Sequence, residues 1–433
     1  MSLQINILKS IAGKSILMIS AYALNIFVSR YFGAAGSGYI NYYVSLYTFI
    51  AVFFTAGMDT SLGYFLTSEK LAGKKLYRFA FIWLVAIHVM ALTLCFLQLI
   101  FSSHHFIPGS ILLFLVFTTS ISIASIVTNF LNAEGSLFQY NLILSLGFIF
   151  LLFFLLYHYY SNTHVSKNLF LRWMGVAGYI TAVIIAGFFF LTHSPFETLT
   201  ILTVEKKMLL KFAFIFLVTS LLNILLTRVD YWFVKHSCND ADLGNYIQAS
   251  RFGQLAFLVP GMISFALFPD VVKNAGKNIA TITLLAKLYF YGALLFCLVF
   301  MLSGNFVFPL LFGGSFGKMP ALFILSCPGV VFLTLSYPYA IYFPAVQRIK
   351  ILVFALSVTI SFLFVIYSIL ASRHNVYLFT IACSFGYMLY SVILLLFFCK
   401  NNRVKLVSLF FINTEEIERI KRNYFSIKAR LTL

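Results

Sequence analysis

Continuous apolar runs, each about twenty residues long and so able to cross a hydrocarbon core as a helix, alternate with short polar breaks along this chain. They fall at about 11–32, 40–66, 79–101, 109–132, 140–159 and 173–192, then at 210–233, 244–268, 282–303, 319–343, 350–371 and 376–399. The runs lack the residue-by-residue alternation of membrane strands, which argues against a β-barrel. In lipid a helix satisfies its own backbone groups, so runs rich in β-branched and aromatic residues still form helices. The count of twelve is most sensitive at His88, Pro328 and Pro338, where a span could split. The first run carries Lys14 and Arg30 and has no small-residue cleavage site, so it reads as a retained helix.

The expected fold is therefore an all-α integral membrane protein of about 12 transmembrane helices. The spans divide at the basic stretch 193–209 into two six-helix lobes, 1–200 and 201–399, followed by a tail, 400–433. Composition agrees: 61% of the 433 residues are hydrophobic and only 10% charged, with a mean hydropathy of +0.97. A soluble chain keeps roughly a quarter of its residues charged.

Charge fixes the expected orientation. With the amino terminus in the cytoplasm, one side receives Lys9, Lys70, Lys74, Lys75, Arg78, Lys206, Lys207, Lys211, Lys273, Lys277, Arg348, Lys350 and the eight basic residues of the tail. That is 20 of the 30 Lys and Arg, against Lys167, Arg172, Lys235, Lys318 and Arg373 on the other side. The bias follows the positive-inside rule with both termini cytoplasmic. It also accounts for most of the +18 charge, and no nucleic-acid partner is implied.

Chemistry-bearing motifs are scarce. The loops are too short for an extramembrane catalytic domain, and no GxxxxGK[ST] nucleotide loop occurs. Cys95, Cys238, Cys297, Cys327, Cys383 and Cys399 have no metal-ligand spacing, and only Cys238 falls in an outer loop. The adjacent pair His104 and His105 reads as solvated loop histidines. No nucleophile–base grouping is evident, so the chain reads as a non-enzyme without cofactor or metal.

Each lobe starts from the cytoplasm, so a repeat between them would be parallel. Its traces are Ser29-Arg30 beside Thr227-Arg228, and Gly38-Tyr39 beside Gly244-Asn245-Tyr246. Both second spans carry an interruption signal, at Gly57-Met58 and at Pro260-Gly261-Met262. Interrupted spans at matching positions point to a transport pathway.

Five cations fall inside spans: Lys14, Arg30, Arg228, Arg251 and Lys287. The embedded acids are Asp59 and Asp230. A charge facing lipid near the midplane costs roughly 2.5–3.5 kcal/mol, and several together approach a domain's whole stability of roughly 5–15 kcal/mol. Lys14 and Lys287 lie near the cytoplasmic edge and can snorkel. Arg30 and Arg228 lie near the outer edge. Arg251 is deeper, roughly 10 Å in at helical rise, and Asp59 is similarly deep from the other side. Arg228 and Asp230, two residues apart, point to different helix faces. An excess of embedded cations suits an anionic passenger, and arginine matches phosphate oxygens in pairs. Asp59 and Asp230 are candidates for coupling to a proton or sodium gradient. The 25 Tyr could stack on sugars, though most aromatics read as interfacial belts and lipid-facing filler.

Ser29-Arg30-Tyr31-Phe32-Gly33, Gly38-Tyr39 and Gly57-Met58-Asp59-Thr60-Ser61 resemble the amino-terminal signature of bacterial polysaccharide transporters. Arg228-Val229-Asp230, Gly244-Asn245-Tyr246, Pro260 and Phe268-Pro269 extend the resemblance into the second half. With length and topology, the chain resembles a Wzx-type flippase of the multidrug/oligosaccharidyl-lipid/polysaccharide (MOP) superfamily. That resemblance implies translocation of undecaprenyl-pyrophosphate-linked oligosaccharide across the bacterial inner membrane, for O-antigen or capsule, beside other polysaccharide assembly proteins. Lipid II flippases of the superfamily are expected to carry two additional helices. A multidrug exporter of the same superfamily and a polysaccharide polymerase or ligase are the alternatives.

In the tail, Asn413 or Thr414 can cap a helix opening on Glu415 and Glu416. Ile417, Ile420, Tyr424, Ile427 and Leu431 share one face among Arg419, Lys421, Arg422 and Lys428. Such a basic amphipathic helix is expected to lie on the inner leaflet.

Overall fold

A computed structural model describes residues 2–68, 71–101, 110–134, 137–193, 203–273 and 279–411. Lys70, Lys277, the pair His104–His105 and the expected tail helix lie outside these residues. The regular elements among them are all helical: α1 (Ser2–Thr55), α2 (Met58–Thr67), α3 (Gly73–Ile100), α4 (Ile111–Glu134), α5 (Leu137–Tyr160), α6 (Lys167–His193) and α7 (Thr203–Ser237). Then follow α8 (Asp240–Gln254), α9 (Leu258–Lys273), α10 (Ile279–Phe312), α11 (Met319–Ala345), α12 (Ile349–Leu370) and α13 (Val376–Asn402). Ten described helices are long and apolar enough to cross a membrane.

The expected spans map onto these helices. A straight helix of 54 residues would run about 80 Å, far beyond a hydrocarbon core of about 30 Å. Gly33 resolves the conflict: its φ of 65° and ψ of −175° lie outside helical space and turn α1 into two passes. The second pass ends at Ala56 and Gly57, both with positive φ, and α2 completes it. In the second half a 3-10 turn, Leu255–Phe257, joins α8 to α9. Both anticipated interruptions are thus present. The second lies a few residues earlier than expected, because Pro260 sits in the first turn of α9, where a missing N–H leaves no helical bond unmade. His88, Pro328 and Pro338 split nothing: α3 and α11 run through them.

Contacts sort the chain into two units, Met1–Asn245 with Pro309–Phe316, and Tyr246–Phe308 with Gly317–Leu433. In the first, α4 is the most enclosed span and packs against α1, α2, α3 and α6. Its buried Thr118, Thr119, Ser120 and Ser122 keep the helix slim, and their hydroxyls bond back to carbonyls three or four residues earlier. In the second unit α11 packs on α13, α9 and α12. Beside Pro328, the Gly329 N–H donates to the Ser384 hydroxyl of α13 at 2.7 Å. A neighbouring hydroxyl thus satisfies a backbone group next to the helix-interior proline. Outward positions such as Leu191, Leu302, Phe153 and Phe306 are exposed and apolar, as a lipid-facing surface requires. The chain after α13 makes a 3-10 turn, Leu406–Leu409, and the Tyr291 hydroxyl of α10 donates to the Phe410 carbonyl at 2.7 Å.

Candidate functional site

The embedded charges occupy quite different settings. Arg30 stands just before the Gly33 turn, and its Nε donates to the Leu311 carbonyl at 2.8 Å while Nη2 bonds the Leu310 carbonyl. Those carbonyls belong to the last turn of α10, where no helical N–H remains to pair with them. The same eight-residue segment, 309–316, is held twice more. The Ala34 N–H donates to the Ser315 hydroxyl at 3.1 Å, and the Asn245 amide donates to the Ser315 carbonyl at 3.2 Å. The glycines of the repeated sequence motif serve this knot. A Cβ on Gly244 would lie 1.8 Å from the Ala34 carbonyl oxygen, so only hydrogen fits there. Arg30, expected to snorkel or to line a pathway, is exposed and caps a helix end.

At the other end of that pass, Trp83 donates its indole N–H to the Thr55 carbonyl at 3.3 Å, just before the break. Asp59, in the first turn of α2, accepts a hydrogen bond from the Ser125 hydroxyl of α4. Ser125 stands one turn before Asn129, whose amide donates to the Ser125 carbonyl at 3.0 Å. Helix 34–55 separates Arg30 from Asp59 by about 33 Å at helical rise, so these two do not share a site.

Within α7, the Arg228 guanidinium bonds the Tyr231 hydroxyl and lies 5.1 Å from the centre of that ring. Asp230 is 1% exposed, and one carboxylate oxygen accepts the Tyr231 N–H at 3.0 Å. Tyr231 thus engages both residues, which point to different faces as the two-residue spacing required. Lys14 is exposed on α1, as snorkelling requires, and Arg251 is half-buried in the last turn of α8. Lys287 departs from expectation: at 1% exposure it is enclosed within α10's packing and does not snorkel. Burial this complete demands polar company for the ammonium. By unit, Lys14, Arg30, Asp59, Arg228 and Asp230 belong to the first, and Arg251 and Lys287 to the second.

Two arrangements escaped the sequence reading. The second unit encloses a cavity of about 20 Å³, the scale of a single water. Its polar lining comes from Tyr246, Ser250 and Gln254 of α8, Ser326 of α11, and Thr380, Ser384 and Tyr387 of α13. The second arrangement is a run of tyrosines on α1, Tyr39, Tyr42, Tyr43 and Tyr47, whose rings touch in succession. The signal for it was present as spacing: steps of three and four residues place side chains on one helical stripe. Among the described residues no group of three or more His, Cys, Asp or Glu is placed to hold a metal ion.

No protein-family profile and no curated protein sequence matches the chain. Solved structures match in fold. An inward-facing multidrug resistance MATE family transporter of the MOP superfamily aligns at a TM-score of 0.68 with 13% identity, over 92% of this chain and 98% of that one. The lipid II flippase MurJ in an inward closed conformation aligns at 0.68 with 15% identity, over 96% and 95%. A MOP superfamily transporter from Pyrococcus furiosus, described as having a binding pocket of reversed polarity that suggests a different function, aligns at 0.57 with 15% identity, over 93% and 95%. The chain has the fold of these transporters.

Proposed function

We propose that this protein is a flippase that moves undecaprenyl-pyrophosphate-linked oligosaccharide across the bacterial inner membrane by alternating access, in the Wzx manner and as a member of the MOP superfamily. The shared fold supports a transporter rather than an enzyme. The observation that carries the substrate class is the sign of the embedded charge, five cations against two acids. A diphosphate passenger rewards that excess, because guanidinium groups bind phosphate oxygens in pairs and apolar walls focus the field. Arg251 and Arg228 are the first choices for the diphosphate, with Lys14 and Lys287 behind them. Arg30 is better read as a brace, since two helix-end carbonyls already occupy its guanidinium. The two lobes 1–200 and 201–399, both termini in the cytoplasm and a proton or sodium gradient acting through Asp59 or Asp230 complete the proposal.

A multidrug exporter is the second reading, supported by the MATE transporter at the same TM-score as the lipid II flippase. An organic cation would meet repulsion from the same charge set. The deciding measurement is transbilayer movement of the lipid-linked oligosaccharide in proteoliposomes, with Arg251→Ala and Arg228→Ala beside the wild type. Wild-type movement that falls in either variant supports flippase and site together. Movement unchanged in both retains the flippase and removes the site. Absence of movement in folded protein, with efflux of a cationic drug, selects the exporter.

A further inference from the structure

Between residues 39 and 47 every aromatic residue is a tyrosine, in a chain where 52 Phe outnumber 25 Tyr. Tyr39 and Tyr43 have ring centres 4.7 Å apart, and Tyr42 stands edge-on to Tyr43 at 5.5 Å and 87°. Tyr43 leads on to Tyr47 at 6.1 Å, and Tyr47 stacks on Phe117 of α4 at 5.3 Å and 13°. Exposure changes along the run. Tyr47 is fully buried, whereas Tyr39, Tyr42 and Tyr43 are half-buried. The ladder therefore has one end closed in protein and one end open.

An interfacial belt does not explain it. Belt residues gather at one membrane depth, whereas residues 39 to 47 climb about 12 Å of helix. Filler does not explain it either, since Phe supplies the same area without a hydroxyl. A hydroxyl taken from water without a partner costs about 1–3 kcal/mol; the Tyr39 and Tyr43 hydroxyls pair with each other, and with Tyr42 they stay half-exposed, so this face still meets water or a polar ligand. The open end is also flanked by charge. The Lys167 ammonium stands 4.4 Å from the Tyr39 ring centre. Asp240, ion-paired with Lys235, belongs to the turn of α8 whose backbone packs on Gly38. All of these residues belong to the first unit.

Aromatic faces edged by hydroxyls, with an ammonium and a carboxylate nearby, provide what a pyranose recognises. Its apolar C–H face lies on the ring, and its hydroxyls bond to phenols and ions. Neither a lipid tail nor a diphosphate needs that combination. We propose that Tyr39, Tyr42 and Tyr43 form a carbohydrate track on α1, with Lys167 at its mouth and Tyr47 closing its inner end, that holds a sugar of the transported glycan. The track rests on the flippase reading and supplies the glycan contact which the cations, directed at the diphosphate, leave unassigned.

The test uses purified full-length protein in proteoliposomes and two probes: the lipid-linked oligosaccharide, and undecaprenyl pyrophosphate without sugar. Tyr43→Ala, Tyr39→Ala and Tyr43→Phe are compared with wild type after thermal unfolding has verified that each is folded. Loss of one stacking ring is expected to weaken oligosaccharide binding about tenfold. Binding of the sugarless lipid should be unchanged, and Tyr43→Phe should lose less than Tyr43→Ala. Equal losses for both probes, or no loss for either, overturn the track while leaving the flippase intact. If the alanine variants do not fold, Tyr43→Phe and Lys167→Ala carry the same comparison between probes, with the same overturning result. Wild-type protein that moves no oligosaccharide refutes the flippase reading, and the track with it.

Discussion

The two interrupted spans occupy matching positions in the sequence, yet they are built differently. The first is a hard break. Ala56 and Gly57 have φ of 50° and 71°, and a Cβ on Gly57 would stand 2.1 Å from the Ala213 carbonyl oxygen and 2.5 Å from the Leu217 nitrogen of α7. The second is a tightening: Gln254 and Leu258 keep right-handed helical angles around the 3-10 turn, and a Cβ on Gly261 would meet only the edge of Tyr337 at 3.4 Å. A break locked by backbone contact holds one geometry, whereas a 3-10 turn within helical space can relax to α-helix at small cost. The rigid element thus belongs to the first half and the pliable one to the second.

Gly57→Ala should break this contrast most severely. Left-handed backbone costs alanine about 1–2 kcal/mol, and the overlap with α7 adds about 1–3 kcal/mol. Thermal unfolding in detergent should show a strongly lowered Tm or no folded protein. Asp59→Asn, two residues beyond the hard break, keeps a partner for Ser125 but removes the charge. If this acid couples transport, movement in proteoliposomes should fall about tenfold, equivalent to about 1.4 kcal/mol, and lose its dependence on pH or sodium. Unchanged dependence would reduce the break to a purely structural feature. Trp83→Phe retains the ring beside Phe79 but takes the donor from Thr55, and a lost hydrogen bond of this kind costs about 1 kcal/mol. Its Tm should fall by a few degrees, whereas an unchanged Tm would mean that the break does not need the indole. Gly261→Ala should be the mildest. At a helical position with ordinary contact distance, the change should raise stability by about 0.5 kcal/mol or less. A marked loss there would show the second interruption to be as locked as the first.

The spans were legible because their signal is collective. Twenty apolar residues in a row leave the backbone no other way to satisfy itself in lipid, and no single residue has to be read correctly. Even the breaks announced themselves through Gly57 and Pro260, although the proline marked the first turn of α9 rather than the interruption itself. The embedded charges were less legible, since span position does not tell what a long side chain reaches. Arg30 reaches carbonyls at residues 310 and 311, some 280 positions away, and nothing near Arg30 in sequence encodes that. Lys287 looked placed to snorkel because its distance from the span edge was known and the packing around it was not. The tyrosine ladder had a readable spacing, but in a chain that is 18% aromatic such spacing is diluted by rings that merely face lipid.

The knot around Ser315 also imposes an order on biosynthesis. Residues 309–316 belong by contact to a unit whose other residues end at Asn245, and all of 246–308 lies between them in the chain. At translation rates of about 5–20 residues per second, the first seven helices wait several seconds in the membrane before Leu310, Leu311 and Ser315 exist. For that interval Arg30 has no helix end to cap, and the Ala34 N–H, set beside the Gly33 turn, has no hydroxyl to meet. The first unit is therefore not the product of the first half of the message. It is finished only when the second half is well advanced, and a nascent chain stopped before residue 309 leaves it open at the Gly33 turn.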